Sequence, residues 1–135
     1  MDYSSVLVDP HTRTLTAEEY LQAKKQFEVS PHELQALLEE EPDKLMIVDV
    51  RDHESYEKEH ILGAKNAPER ELAAKLAGLP KGRRLVVYSW DLDCGLADNA
   101  AFRLAREGRE VRILSGGLEE WRRKGLPVTK RARGH

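Results

Sequence analysis

Cysteine is nearly absent: the 135 residues contain one, Cys94. One thiol cannot close an internal disulfide, so a reducing compartment, the cytoplasm, is expected, and the thiol is either packing or chemistry. Net charge is also small, at -2, which gives no global pull toward nucleic acid or an anionic membrane. No apolar run approaches the ~20 residues that span a bilayer. The first residues, Met1-Asp2-Tyr3-Ser4-Ser5, carry no basic stretch leading into an apolar core, so no secretory signal is read there. Internal repeats and low-complexity tracts are missing too. What remains is 40% hydrophobic and 34% charged, the composition expected of one soluble domain with a single core. Basic clusters at Lys81-Gly82-Arg83-Arg84, Arg122-Arg123-Lys124 and Lys130-Arg131-Ala132-Arg133 read as solvated surface or tail.

Residues 1–13 carry no strong pattern and are expected to be loosely ordered. A helix is predicted from Thr16 to about Gln26. Glu19 completes a capping box with Thr16, and Leu15 and Tyr20 are placed as a hydrophobic staple. The signature recurs at Ser30-Pro31-His32-Glu33, with proline at the first helical position, and that helix stops before Pro42. Leu45 to Val50 and Leu85 to Tyr88 are nearly continuous apolar runs, which suit strands buried on both faces of a parallel sheet. Val111 to Leu114 is a third strand, and Ala64 to Ala67 a short fourth. Helices are expected between them at Glu54 to Glu59, Glu69 to Leu76, Ala97 to Arg106 and Leu118 to Lys124. Gly108 and Gly125 stand where left-handed caps belong. Strands alternating with helices predict an α/β fold, a central mostly parallel sheet with helices on both faces.

In such sheets ligands sit beyond the carboxyl ends of the strands. That rule selects residues 49–52, 89–98 and 115–117. The second is the most informative: a buried strand ends at Ser89, a polar loop follows, and a helix begins. A strand feeding a helix through a tight loop aims backbone N–H groups at one point. The single cysteine lies in this loop.

Two further segments point to a family. Val48-Asp49-Val50-Arg51, followed by Tyr56 and His60-Ile61-Leu62-Gly63-Ala64, is similar to the first signature of rhodanese domains. Leu114-Ser115-Gly116-Gly117-Leu118-Glu119-Glu120-Trp121, followed by Gly125-Leu126-Pro127-Val128, resembles their C-terminal signature. The resemblance implies a rhodanese-like three-layer domain over residues 27–128, with a helical N-terminal extension at 1–26 and a basic C-terminal tail at 129–135. It also implies sulfurtransferase chemistry in active members. A cysteine at the end of the strand matching Leu85 to Tyr88 takes a sulfane sulfur as a persulfide from a donor and passes it to a thiol acceptor. Other members lack the cysteine and act as binding or regulatory domains.

Here the catalytic position falls on Ser89. A serine hydroxyl cannot carry a persulfide and is a weak nucleophile without an adjacent base. Three readings stand: natural loss of the nucleophile, exchange of a native cysteine for serine, or transfer of the activity to Cys94. The loop is longer than in common single-domain members and resembles a variant with two cysteines, of which Cys94 matches the second. A helix N-terminus would lower the Cys94 pKa; Asp91, Asp93 and Asp98 would raise it and repel thiosulfate. Residues 89–99 contain no basic side chain. The loop residues Trp90, Asp91, Leu92, Asp93, Gly95, Leu96 and Ala97 are the expected pocket wall, with Trp90 as lid or stacking platform. Asp49 and Arg51 are expected to brace the sheet edge as an ion pair, and His60 to hold backbone at the turn before Gly63. A cysteine phosphatase is excluded, because the loop carries no arginine to clamp phosphate. The scattered histidines give no metal site, and no cofactor is expected. The partners considered are a sulfur donor or thiol acceptor, a protein, or a second copy joined through the N-terminal extension.

Overall fold

The computed structural model describes residues 14–91 and 95–130. The expectations for residues 1–13, for Leu92, Asp93 and Cys94, and for the tail beyond Lys130 therefore lie outside the described residues.

The first helix, α1, spans Ala17–Phe27. Thr16 accepts the Glu19 N–H and the Glu19 carboxylate reaches back to the Thr16 backbone, which is the capping box. A two-residue strand β1, Glu28–Val29, follows. Helix α2, Pro31–Glu40, is capped by Ser30 in the same way. Strand β2 is Leu45–Asp49. Helix α3, His53–Lys58, starts on Asp52, whose carboxylate accepts the Ser55 N–H at 2.7 Å. Strands β3, His60–Ile61, and β4, Lys65–Asn66, are short. Helix α4 is Leu72–Lys75. Strand β5 is Arg84–Tyr88, helix α5 Leu96–Arg106, strand β6 Val111–Leu114, helix α6 Gly117–Arg123 and strand β7 Val128–Thr129.

Five strands form one parallel sheet in the order β1-β6-β5-β2-β4. The central strand β5 shows why its sequence is continuously apolar. Val86 and Tyr88 face one hydrophobic layer, with Leu34, Leu118 and Trp121. Leu85 and Val87 face the other, with Leu72, Ala100 and Leu104. Alternate residues point to opposite faces, so a strand covered by helices on both sides has no polar position to spare. Ala100 and Ala101 on α5 let that helix lie close to the sheet; both are buried. Gly108 and Gly125 adopt positive φ where α5 and α6 end.

Two elements differ from the sequence reading. The helix expected from Glu69 to Leu76 is α-helical only over Leu72–Lys75, with 3₁₀ turns at Glu69–Glu71 and Leu76–Gly78. Tertiary bonds fix its entry: Ala67 donates to the Asp49 carbonyl (2.9 Å) and Glu69 to the Val50 carbonyl (3.0 Å). Strands β1, β3 and β7 carry too few residues for a periodic signal. β3 and β7 form a separate antiparallel pair, His60 opposite Thr129 and Ile61 opposite Val128. No helix among the described residues is long and apolar enough to cross a membrane.

Candidate functional site

The carboxyl ends of β2, β5 and β6 converge, as the parallel arrangement requires. Asp49 ends β2 and is fully buried. Its carboxylate accepts from Arg51 three times: from the backbone N–H (2.9 Å), from Nε (3.0 Å) and from Nη2 (2.7 Å). Tyr88, the last residue of β5, donates its hydroxyl to the same carboxylate at 2.6 Å and accepts the Ile61 N–H at 3.0 Å. Arg51 Nη2 also reaches the Glu59 carbonyl at 2.6 Å. Burial works against the Arg51 charge, but the Asp49 carboxylate outweighs it and holds the guanidinium above its ordinary pKa. Burial first, and Asp49 second, push the Tyr88 phenol far up. Removing one member of such a buried pair leaves the other uncompensated, which is far costlier than the pair is stabilising.

One nitrogen of this cluster, Arg51 Nη1, has no hydrogen-bond partner. The Trp90 ring covers the guanidinium, with its centroid 4.3 Å from the central carbon. Trp90 remains 43% exposed. Its indole therefore lies between the buried cation and solvent.

Ser89 follows β5 and is 1% exposed. Its carbonyl accepts the Leu118 N–H, and the Trp90 carbonyl accepts the Glu119 N–H, both at 2.9 Å. The first-turn donors of α6 are thus used by the start of the loop. Gly117 makes this approach feasible. Its φ is +60°, and a Cβ there would stand 2.6 Å from the Ser89 carbonyl oxygen.

Beside Ser89 lies a small cavity of about 100 Å³. Among the described residues, Asp91, Asp98 and Glu28 line it with carboxylates and Lys24 with an ammonium. Lys24 comes from α1 and pairs with Glu28 at 2.5 Å, which holds its pKa above the ordinary value. Glu28 in turn accepts the Ser115 hydroxyl at 3.1 Å. Ala97 lines the same cavity, whereas Trp90, which lies over Arg51, and Gly95 and Leu96, which begin α5, are not among its lining residues, contrary to the sequence expectation. Leu92, Asp93 and Cys94 are not among the described residues. Larger clefts of about 470 and 540 Å³ lie elsewhere, and Ser89 lines neither.

His60 is buried away from the cavity. Its Nδ1 lies 2.7 Å from the Tyr56 carbonyl, so that nitrogen carries the proton, and its ring stacks on Tyr56 at 3.7 Å. It fastens the end of α3 rather than facing a ligand. No group of metal-ligating side chains occurs among the described residues.

Sequence reading did not single out Tyr88, Asn66 or Lys24. Tyr88 had a signal: a hydroxyl at the end of an aliphatic strand needs a buried partner. Asn66 donates to the Asp49 and Arg51 carbonyls at 3.0 and 2.9 Å, and Lys24 reaches the cavity from a distant helix. Neither relationship has a local sequence signature.

The profile of the rhodanese-like domain family matches residues 30–124. An HTH-type transcriptional regulator of Mycobacterium tuberculosis is 46% identical over 93 residues, 68% of this chain and 41% of that protein. The chain therefore spans less than half the length of that relative. Among solved structures, a full-length protein from Lactobacillus plantarum superposes with a TM-score of 0.78 at 28% identity, covering 84% of this chain and 96% of that one. A rhodanese-like domain from Anabaena gives a TM-score of 0.68 at 30% identity over 80% of this chain and 82% of its own.

Proposed function

The chain belongs to the rhodanese-like domain family, and we propose that it serves there as a binding or regulatory domain without ordinary sulfur turnover. The observation that carries this reading is Ser89. The family resemblance puts the sulfur-accepting cysteine at this position, and here a buried hydroxyl stands at the strand's end. Oxygen cannot hold the transferred sulfur as a persulfide, and among the described residues no imidazole lines the cavity.

The surroundings support the same reading. Thiosulfate is a dianion, and among the described lining residues the one ammonium, that of Lys24, is already paired with Glu28. The cavity is small beside the roughly 300–1,000 Å³ of sites for drug-sized molecules. It suits the tip of a side chain, and its charge favours a cationic one from a protein partner. The Mycobacterium tuberculosis relative is named as a transcriptional regulator, and this chain matches 41% of its length.

The competing reading is a sulfurtransferase working through Cys94, or through a native cysteine that Ser89 has replaced. Intact-protein mass spectrometry after incubation with thiosulfate, with and without cyanide, separates the two. The expected result is no added sulfur while Cys94 still reacts with a small alkylating agent. A gain of one sulfur mass on Cys94 that cyanide removes would overturn the proposal and make this thiol a sulfur carrier.

A further inference from the structure

Helix α1 is built to be stable and yet buries almost nothing. It has a complete capping box, acidic residues Glu18 and Glu19 in its first turn, and basic residues Lys24 and Lys25 in its last. None of its residues is buried. Only Glu19 and Ala23 are half-covered, on the side that meets β1 and β6. Leu15, Tyr20, Leu21 and Phe27 are each more than half exposed, four of the seven large hydrophobic side chains left open in the described chain. Helices this short are marginal in water without an apolar face packed against something, and this one leaves its apolar side chains in solvent.

We propose that a second copy of this chain covers α1, in an antiparallel helix pair about a two-fold axis. The charge order along the helix selects this occupant. A parallel copy would set acid beside acid and base beside base. An antiparallel copy, with the axis passing between Leu21 and Gln22, sets Glu18 of each copy against Lys25 of the other. Ala17, Tyr20, Leu21 and Lys24 share one stripe at helical spacing, turned away from Glu19 and Ala23. In the pair, Tyr20 and Leu21 of each copy lie across the methylene stems of the other copy's lysines. The contact is isologous and closes on itself. Because Lys24 and Glu28 wall the cavity beside Ser89, the second copy stands at the rim of that site. The inference concerns α1 alone and is independent of what Ser89 does.

Sedimentation equilibrium over a concentration series tests it. The wild-type chain is expected to form a dimer. The double variant Tyr20→Asp, Leu21→Asp is expected to be a folded monomer whose thermal transition no longer depends on protein concentration, since neither side chain is buried in the domain. Glu18→Lys alone and Lys25→Glu alone place like charges across the axis, and each should weaken self-association roughly three- to tenfold. Mixed in equal amounts, these two variants should pair with each other and recover wild-type affinity. A monomeric wild type, or a dimer that persists in the double variant, overturns the proposal. So does a mixture of the two charge variants that associates no better than either alone.

Discussion

The indole of Trp90 lies over the guanidinium of Arg51, 4.3 Å from ring centroid to central carbon, and separates a buried cation with one unpartnered nitrogen from solvent. A contact of this kind contributes about 0.5–2 kcal/mol, more as it is desolvated. Trp90→Ala is therefore expected to lower unfolding free energy by about 1–2 kcal/mol in urea titration. An unchanged midpoint would show that the ring adds nothing to the cation's burial. The fluorescence of the wild type offers a second check. Iodide should quench Trp90 and spare Trp121, which is 1% exposed.

Tyr88→Phe removes a donor from the Asp49 carboxylate and the acceptor of the Ile61 N–H. The Ile61 N–H is left unmatched while the Asp49 carboxylate keeps its Arg51 donors, so a loss of about 1–3 kcal/mol is expected by the same titration. A loss below about 1 kcal/mol, within the cost of one group, would contradict the hydrogen-bond geometry.

The phenol of Tyr88 also sets a pH dependence. Its pKa in the folded chain is raised above the ordinary 10.0 by burial and by Asp49. The folded state therefore keeps the proton that the unfolded state releases. The stabilisation is complete below pH 10.0 and declines as pH rises past that value. Melting temperature should fall more steeply there in the wild type than in Tyr88→Phe, and equal slopes would refute the assignment.

Gly117→Ala and Gly78→Ala form a matched pair. A Cβ at Gly117 meets the Ser89 carbonyl oxygen at 2.6 Å on a backbone with φ of +60°, whereas one at Gly78 meets nothing within 4 Å. The first exchange should cost about 2 kcal/mol or more, and the second should stay within about 0.5 kcal/mol of wild type. Thermal denaturation of both variants decides this, and similar melting temperatures would disprove the close approach.

Ser89→Cys tests how far the missing sulfur atom explains the chemistry. The single variant is expected to stay nearly inert toward thiosulfate because of the acidic loop. Adding Asp91→Asn and Asp93→Asn should raise persulfide formation by roughly three- to tenfold per charge removed. If Ser89→Cys alone turns over like an active family member, the carboxylates do not govern the reaction.

Much of the sheet was legible because buried strands and capped helices write themselves into consecutive residues. Leu85 to Tyr88 has no polar face, and Ser30-Pro31-His32-Glu33 carries cap, proline and returning carboxylate within one turn. β1, β3 and β7 were not legible, since two residues of extended chain acquire meaning only from the strand beside them. The site was partly legible. Ser89, Asp49 and Arg51 stand at strand ends, where parallel sheets gather their ligands. The wall formed by Lys24 and Glu28 was hidden, because it depends on where an N-terminal helix settles and not on any local pattern.

The ladder between β3 and β7 closes residues 61–128 into a ring held by hydrogen bonds and by the packing of Ile61 and Val128 in one hydrophobic layer. Its other fastenings are the Leu62 N–H and the Trp121 indole N–H, both donating to the Pro127 carbonyl at 3.2 and 2.9 Å. One further tether, the Ile61 N–H donating to the Tyr88 hydroxyl at 3.0 Å, joins β3 to the five-stranded sheet. The ring can come undone while the sheet stays whole, so the Leu62 amide, which donates to the Pro127 carbonyl, should exchange with solvent deuterium before those of Val86 and Val87. Opening of this ring would leave the five parallel strands paired.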